Sequence, residues 1–326
     1  MSLIEVTDLV KVFDGEIRAV DGITFHVDEG EVFGFLGPNG AGKTTTIRIL
    51  VTLSEATSGT AIVDGFDVAA SPHQVRERIG YAAQFIGVDA DLTAEENLVL
   101  QGRLHGMSSD QANQQARHLL EVIDLTEAAD RKAGTYSGGM RRRLDLAQAL
   151  MHEPRLLFLD EPTTGLDPQN RHALWSYLRQ LNRDGVTIFL TTQYLEEADA
   201  LTNRIAIIDQ GKIVVEGTPD ELKAGIGGDT ITVTVDDVEG AVATLKGLDD
   251  ILELQTRDSA VTVYVSDGGS RVAEVVRALD AAGISLHQLE LSEPTLDQVF
   301  LKHTGEHLRV EEVAQPSRMV MGRRAR

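Results

Sequence analysis

Residues 37–44 read Gly-Pro-Asn-Gly-Ala-Gly-Lys-Thr, directly after the apolar run EVFGFL and directly before TTIRIL. No other stretch constrains the fold as tightly. The order is strand, glycine-rich loop, helix, the context in which G-x-x-x-x-G-K-[ST] forms a phosphate cradle. Gly37, Gly40 and Gly42 let successive backbone N–H groups turn inward without Cβ clashes. The following helix offers its free N–H groups and the positive end of its dipole to the same phosphates. Lys43 can reach β- and γ-phosphate oxygens, and the Thr44 hydroxyl can ligate Mg²⁺. Pro38, Asn39, Ala41 and Thr45 complete the loop and the first helical turn. Alone, the loop implies nucleotide binding and leaves the reaction open.

Strand and helix signals alternate through the first 225 residues. Residues 4–12 and 23–27 alternate apolar and polar as strands do, around an Asp14-Gly15 turn signal. Residues 58–68 read the same way around Asp64-Gly65. Residues 92–125 are mainly helical, opened by a capping box of Thr93 and Glu96. LLFL at 156–159 and VTIFL at 186–190 are short apolar runs of the buried parallel-strand type. This alternation predicts an α/β fold with a mostly parallel sheet covered on both faces. Residues 225–228 (GIGG) read as a linker. Beyond them the pattern β-α-β-β-α-β predicts a small α+β domain of ferredoxin-like order over 229–305. A last helix in TLDQVFLKHTG closes that domain, and 306–326 read as a mobile tail.

Composition narrows the function classes. With no cysteine, disulfides and thiolate metal sites are excluded. Lys+Arg 30 against Asp+Glu 51 gives a formal net charge of -21. That balance argues against nucleic acid as a partner, which needs a basic footprint. No stretch approaches the roughly 18 apolar residues needed to span a bilayer, and the first ten residues do not form a signal peptide. The expected location is cytoplasmic, with any membrane role supplied by a partner.

Two further motifs carry chemistry. The strand at 156–159 ends in Asp160-Glu161, at the mouth of the sheet where ligands bind in open α/β folds. Asp160 is placed to help hold Mg²⁺, and Glu161 to polarise an attacking water as general base. Pro162-Thr163-Thr164-Gly165-Leu166-Asp167 follows directly. Upstream, Ser137-Gly138-Gly139 precedes the helical RRLDLAQALM, which reads either as an anion-binding helix N-terminus or as a plain helix cap.

In order, these motifs resemble the ABC ATPase family: the loop at 37–44, Gln84 in YAAQF, the signature at 136–140, Asp160-Glu161, Gly165-Leu166-Asp167 and TTQYLEEAD. The resemblance covers about 1–225. LSEPTLDQVFLKHTG looks like the terminal motif of daunorubicin-resistance exporter ATPases. The resemblance implies a P-loop NTPase core of ABC type with antiparallel β and helical subdomains, the helical one at about 86–150. It implies that Phe13 stacks on adenine and that Gln84 links Mg²⁺ or the attacking water to the membrane partner. It further implies that Ser137, Gly138 and Gly139 close on ATP held by a second copy, and that Asp167 lies at the dimer interface. The implied assembly is a homodimer peripheral on the inner face of the cell membrane, powering drug or antibiotic efflux through a separate permease with ATP and Mg²⁺.

Two positions depart from the family. Met140 stands where Gln is usual. Gln193 stands where a His usually touches the γ-phosphate; Gln can hydrogen-bond but cannot shuttle a proton near neutrality. This shifts weight onto Glu161 as base, with Gln193 positioning. It also motivates an alternative, an ATP-gated dimerisation switch with little hydrolysis. A soluble non-transport ABC protein is a third reading.

Overall fold

The computed structural model describes residues 2–13, 16–227, 229–248, 251–257, 259–265 and 268–304. Its strands are β1 (Ser2–Phe13), β2 (Ile17–Asp28), β3 (Val32–Leu36), β4 (Ser58–Val63), β5 (Phe66–Asp67), β6 (Ile79–Ala82), β7 (Leu156–Asp160), β8 (Thr187–Thr192), β9 (Arg204–Asp209), β10 (Lys212–Gly217), β11 (Asp229–Val235), β12 (Ile251–Arg257), β13 (Ala260–Val265) and β14 (Leu286–Ser292). Its helices are α1 (Lys43–Leu50), α2 (Pro72–Arg76), α3 (Ala94–Leu104), α4 (Ser109–Val122), α5 (Gly138–Ala149), α6 (Pro168–Arg183), α7 (Leu195–Leu201), α8 (Pro219–Ala224), α9 (Val238–Leu245), α10 (Gly268–Ala281) and α11 (Leu296–Thr304).

The largest sheet runs β10-β9-β3-β8-β7-β6, parallel except for β10. β3, β7 and β8 are buried at every position, as their unbroken apolar runs require of strands covered on both faces. On one face, Phe25 from β2, Phe33 and Phe35 from β3, and Phe158 from β7 surround Phe189, with ring centroids 5.5–5.9 Å from it. Ile47, Ile49 and Leu50 of α1 complete that layer, beside the antiparallel sheet β2-β1-β4-β5. The hairpin from β4 to β5 turns at Asp64 and Gly65, both at positive φ, as a tight two-residue turn demands. The Asp14-Gly15 turn lies outside the described residues, as does the tail from 306.

The other face is covered by helices. Leu98, Leu119, Leu144, Leu146, Trp175 and Leu178 pack there against Leu157, Leu159, Ile188 and Leu190 of the sheet. The capping box starts α3 as read: Thr93 Oγ1 accepts from Glu96 N at 3.1 Å, and Glu96 Oε2 accepts from Thr93 N at 2.8 Å.

The third sheet is antiparallel in the order β12-β13-β11-β14. α9 and α10 cover one face, burying Ile231, Val233, Val261 and Val263 against Ala241, Leu245, Val275 and Leu279. The last helix does not close this domain, contrary to the sequence reading of 229–305. α11 buries Leu296, Val299 and Phe300 against Leu36, Ala198, Ile205, Ile207 and Leu222 of the first domain. The helical face of the small sheet is already covered by α9 and α10, and the apolar face of α11 packs with α7, α8 and β10 instead.

Candidate nucleotide site

β3 delivers the chain into the loop, and close backbone packing then forces glycine. A Cβ on Gly37 would sit 2.3 Å from the Ile208 carbonyl oxygen. Gly42 has φ +110, and a Cβ there would sit 2.3 Å from the Ala19 carbonyl oxygen. The cradle is therefore drawn in tight by β2 and β9. Lys43 is 4% exposed. Its Nζ donates to Gly37 O at 2.7 Å and Pro38 O at 3.1 Å, and lies 3.3 Å from Glu161 Oε1. Burial pushes the Lys43 ammonium below its ordinary range, while Glu161 and Asp160 pull it back up. A phosphate arriving in the loop would add a second anionic partner beside Glu161 and favour the charged form of Lys43 further.

Around Lys43 lies a cleft of ≈ 450 Å³ lined by Ala19, Asn39, Gly40, Gly42, Lys43, Thr44, Thr45, Gln84 and Glu161. Pro38 and Ala41 form the loop beneath it. Phe13, at the end of β1, is 42% exposed and carries Lys11 Nζ 4.9 Å from its ring centroid. Its face is therefore not spent in the core.

Thr44 Oγ1 and Thr191 Oγ1 both donate to Asp160 Oδ1, at 3.1 Å and 2.6 Å. Hydroxyl and carboxylate oxygens brought together in this way suit a hard cation; Mg²⁺ commonly takes one or two carboxylates and leaves its other positions to water and phosphate. Glu161 follows in the left-handed region, φ 47, which is uncommon for a residue with a Cβ and costs roughly 1–2 kcal/mol. Its N–H is held by Thr191, and its Oε2 accepts from Gln84 Nε2 at 3.1 Å and Thr164 Oγ1 at 3.3 Å. The Glu161 carboxylate thus stands between Lys43 and Gln84. Gln84 is bonded to Glu161 rather than to the Thr44–Asp160 pair.

The other motif residues sit elsewhere. Ser137 caps α5, its Oγ accepting from Met140 N at 3.2 Å, so the cap reading is correct as far as it goes. Ser137 and Gly138 are exposed, and Gly139 is buried with Asn170 so near that a Cβ would lie 2.5 Å from Oδ1. Asn170 is tied in turn to Asp167, the cap of α6, at 2.6 Å and 2.9 Å. Ser137, Gly138, Gly139 and Asp167 form one neighbourhood, and none of them lines the Lys43 cleft. Gln193, half-buried, follows β8 directly, at the same sheet edge as Leu36 and Asp160.

One functional pair was not singled out from sequence. Arg142 on α5 is 3% exposed. It donates to Pro162 O at 2.8 Å, Ala83 O at 2.6 Å, Asp160 O at 3.4 Å and Asp145 Oδ2 at 3.0 Å. Asp145 Oδ1 accepts from Gly87 N at 2.8 Å. The pair joins the helix capped by Ser137 to the segments that flank Gln84 and Glu161. Burial pushes the Asp145 carboxyl up, and the Gly87 N–H and Arg142 hold it down. The signal available was the i, i+3 spacing of Arg142 and Asp145 on a helix whose next residues, LDLAQAL, are core-like.

Comparison with known proteins fits this geometry. The family described as ABC transporter matches residues 20–164, and the family described as ATP-binding protein DrrA1-3-like, C-terminal domain, matches 217–304. The daunorubicin resistance ATP-binding protein DrrA2 of Streptomyces coeruleorubidus is 48% identical over 295 residues, 89% of this chain and 92% of that protein. The linearmycin resistance ATP-binding protein LnrL of Bacillus subtilis is 37% identical over 311 residues, 94% of this chain and 100% of that protein. Among solved structures, an ATP-binding cassette in a post-hydrolysis state bound to ADP and Pi superposes with a TM-score of 0.61 at 27% identity, covering 66% of this chain and 98% of that one. The chain belongs to the ATP-binding subunits of ABC transporters, among those with a DrrA1-3-like C-terminal domain, and is an ATPase that serves a membrane permease.

Proposed function

We propose that two copies of this chain share two ATP sites and so power the export of drugs or antibiotics through a separate permease, from the inner face of the cell membrane. The observation that carries the shared site is the separation within one chain of Ser137, Gly138 and Gly139 from the Lys43 cleft. A second copy can bring its own Ser137 N-terminus to the open side of that cleft. The printed names of the relatives, daunorubicin and linearmycin resistance, support the class of cargo.

Residues 37–45 hold the phosphates and Phe13 stacks on the adenine. Thr44 and Asp160 would hold Mg²⁺, which would supply positive charge to offset that of the phosphate oxygens. Glu161 accepts a proton from water as the water oxygen attacks the γ-phosphorus. The bond from that phosphorus to the bridging oxygen breaks, and ADP leaves with its electron pair. Lys43 and Gln84 hold Glu161 in place on either side. Gln193 donates an N–H to the γ-phosphate and orients it. It does not titrate, so an imidazole step should be missing from the pH profile.

Mixing two inactive variants tests the sharing. Lys43→Ala and Ser137→Ala are each expected to be nearly inactive with Mg-ATP. A mixture should recover activity, because a mixed dimer keeps one site free of both changes. Failure to recover on mixing, with dimers present, would place the whole site in one chain. Glu161→Gln should bind ATP and lose about 100- to 10,000-fold in rate. Equal phosphate release from Glu161→Gln and the native chain would sink the motor and favour the ATP-gated switch.

A further inference from the structure

Glu197 lies on α7 with no solvent exposure. A buried carboxyl is expensive unless it is well bonded, and leucine would pack α7 more cheaply. Its Oε1 accepts from Trp175 Nε1 at 3.2 Å. Among the described residues, its Oε2 and the nearby Thr163 hydroxyl are buried without a hydrogen-bond partner. Thr192 Oγ1 accepts from Tyr194 N at 2.9 Å, closing a turn across Gln193. Tyr194 is also the N-cap of α7, so the turn across Gln193 runs directly into the helix that carries Glu197. On its other side the Tyr194 ring meets the Arg171 guanidinium at 5.0 Å. Arg171 and Trp175 are both on α6, the helix that Asp167 caps. Thr163 lies two residues beyond Glu161.

We propose that Glu197 is a positioning residue for ATP hydrolysis, holding the turn that presents Gln193 and tying it to the Asp167 helix. Burial pushes the Glu197 carboxyl above its usual range. The link runs from the interface residue Asp167, through α6, to the residue that contacts the γ-phosphate. It rests on the reading of Gln193 given above.

The test uses full-length protein with Mg-ATP and four variants: Gln193→Ala, Glu197→Met, Glu197→Gln and the Gln193→Ala/Glu197→Met double. Glu197→Met keeps volume and removes both acceptors. It should lower kcat about 10- to 100-fold and change KM less than about threefold, since binding is left intact. Glu197→Gln should recover most of that loss. The double variant should be no slower than Gln193→Ala alone, because Glu197 acts through Gln193. Multiplying losses, or a raised KM at constant kcat, would overturn the proposal. A slow Gln193→Ala beside a fast Glu197→Met would overturn it while leaving the Gln193 reading intact. A fast Gln193→Ala would overturn both. If Glu197→Met melts too low to assay, Trp175→Phe removes the indole donor while keeping an aromatic ring at the site. It should lower kcat about threefold, again without adding to Gln193→Ala; a loss that adds would overturn the proposal.

Discussion

Replacing Arg142 with methionine isolates the contribution of one buried guanidinium. Methionine fills much of the same volume and makes none of the hydrogen bonds. Asp145, 7% exposed, is left with the Gly87 N–H alone. The carbonyls of Ala83 and Pro162 lose donors at 2.6 Å and 2.8 Å. Removing one side of a buried ion pair costs about 3–5 kcal/mol. Orphaned carbonyls would add about 1–3 kcal/mol each if nothing moved, but the loop at 83–87 can shift toward water, so the smaller figure stands. Against a total stability of about 5–15 kcal/mol this is a large share, and the melting midpoint should fall by about 10 °C. Activity should fall further than stability, because the lost anchors flank Gln84 and Glu161. A loss of about 100-fold in kcat corresponds to a misplacement of about 1 Å. Asp145→Leu added to Arg142→Met should restore part of the stability, since the stranded carboxyl is gone, but not the rate. Thermal unfolding and steady-state phosphate release read both quantities. A midpoint within about 2 °C of the native value, with kcat unchanged, would refute the idea that this pair holds the site together.

Gly42→Ala should weaken binding of a fluorescent ATP analogue at least about tenfold, since its Cβ would meet Ala19 O at 2.3 Å at a φ of +110. Phe300→Ala removes a side chain that is 1% exposed and should cost about 3–5 kcal/mol in urea unfolding. That loss should appear in unfolding of the ATPase domain, because α11 packs there. Burial pushes the His152 imidazole down to about 4, and the His105 ring stacked 3.9 Å away adds to the shift. The unfolded chain therefore binds this proton first, and stability is lost as pH falls from about 6.5 toward about 4. His152→Phe keeps a stacking ring and should make that acid limb shallower, by at most about 3 kcal/mol.

The phosphate loop was legible in the sequence because its geometry admits glycine alone at Gly37 and Gly42. Thr93 and Glu96 were legible for a similar reason, since a capping box is a local bond pattern. The β-α-β-β-α-β order of the small domain followed from period alone. The destination of α11 did not. Periodicity marks an apolar face but not which of two cores will take it. Arg142 was hidden in the basic run Arg141-Arg142-Arg143, which reads as a solvated face until Asp145 and the core residues beside it are weighed. Glu196 and Glu197 look alike in sequence as acids in the first turn of a helix. Glu196 is exposed, with its side chain at 80%, and Glu197 is sealed inside. Only the packing of α6 on α7 separates them.

The path of the chain around the small domain has a mechanical consequence. The chain departs after α8 and comes back at α11, and the two points are side by side, with Lys302 Nζ donating to Gly225 O at 2.9 Å. The small domain is therefore inserted into the ATPase domain and held by two adjacent tethers. Such an attachment limits reorientation more than a single linker does. It also makes excision possible: residues between the tethers can be replaced by a short Gly-Ser bridge while α11 stays docked. Cutting the chain after residue 227 removes two things at once, the inserted domain and a piece of the ATPase core. Only the excised form can report what the inserted domain does by itself.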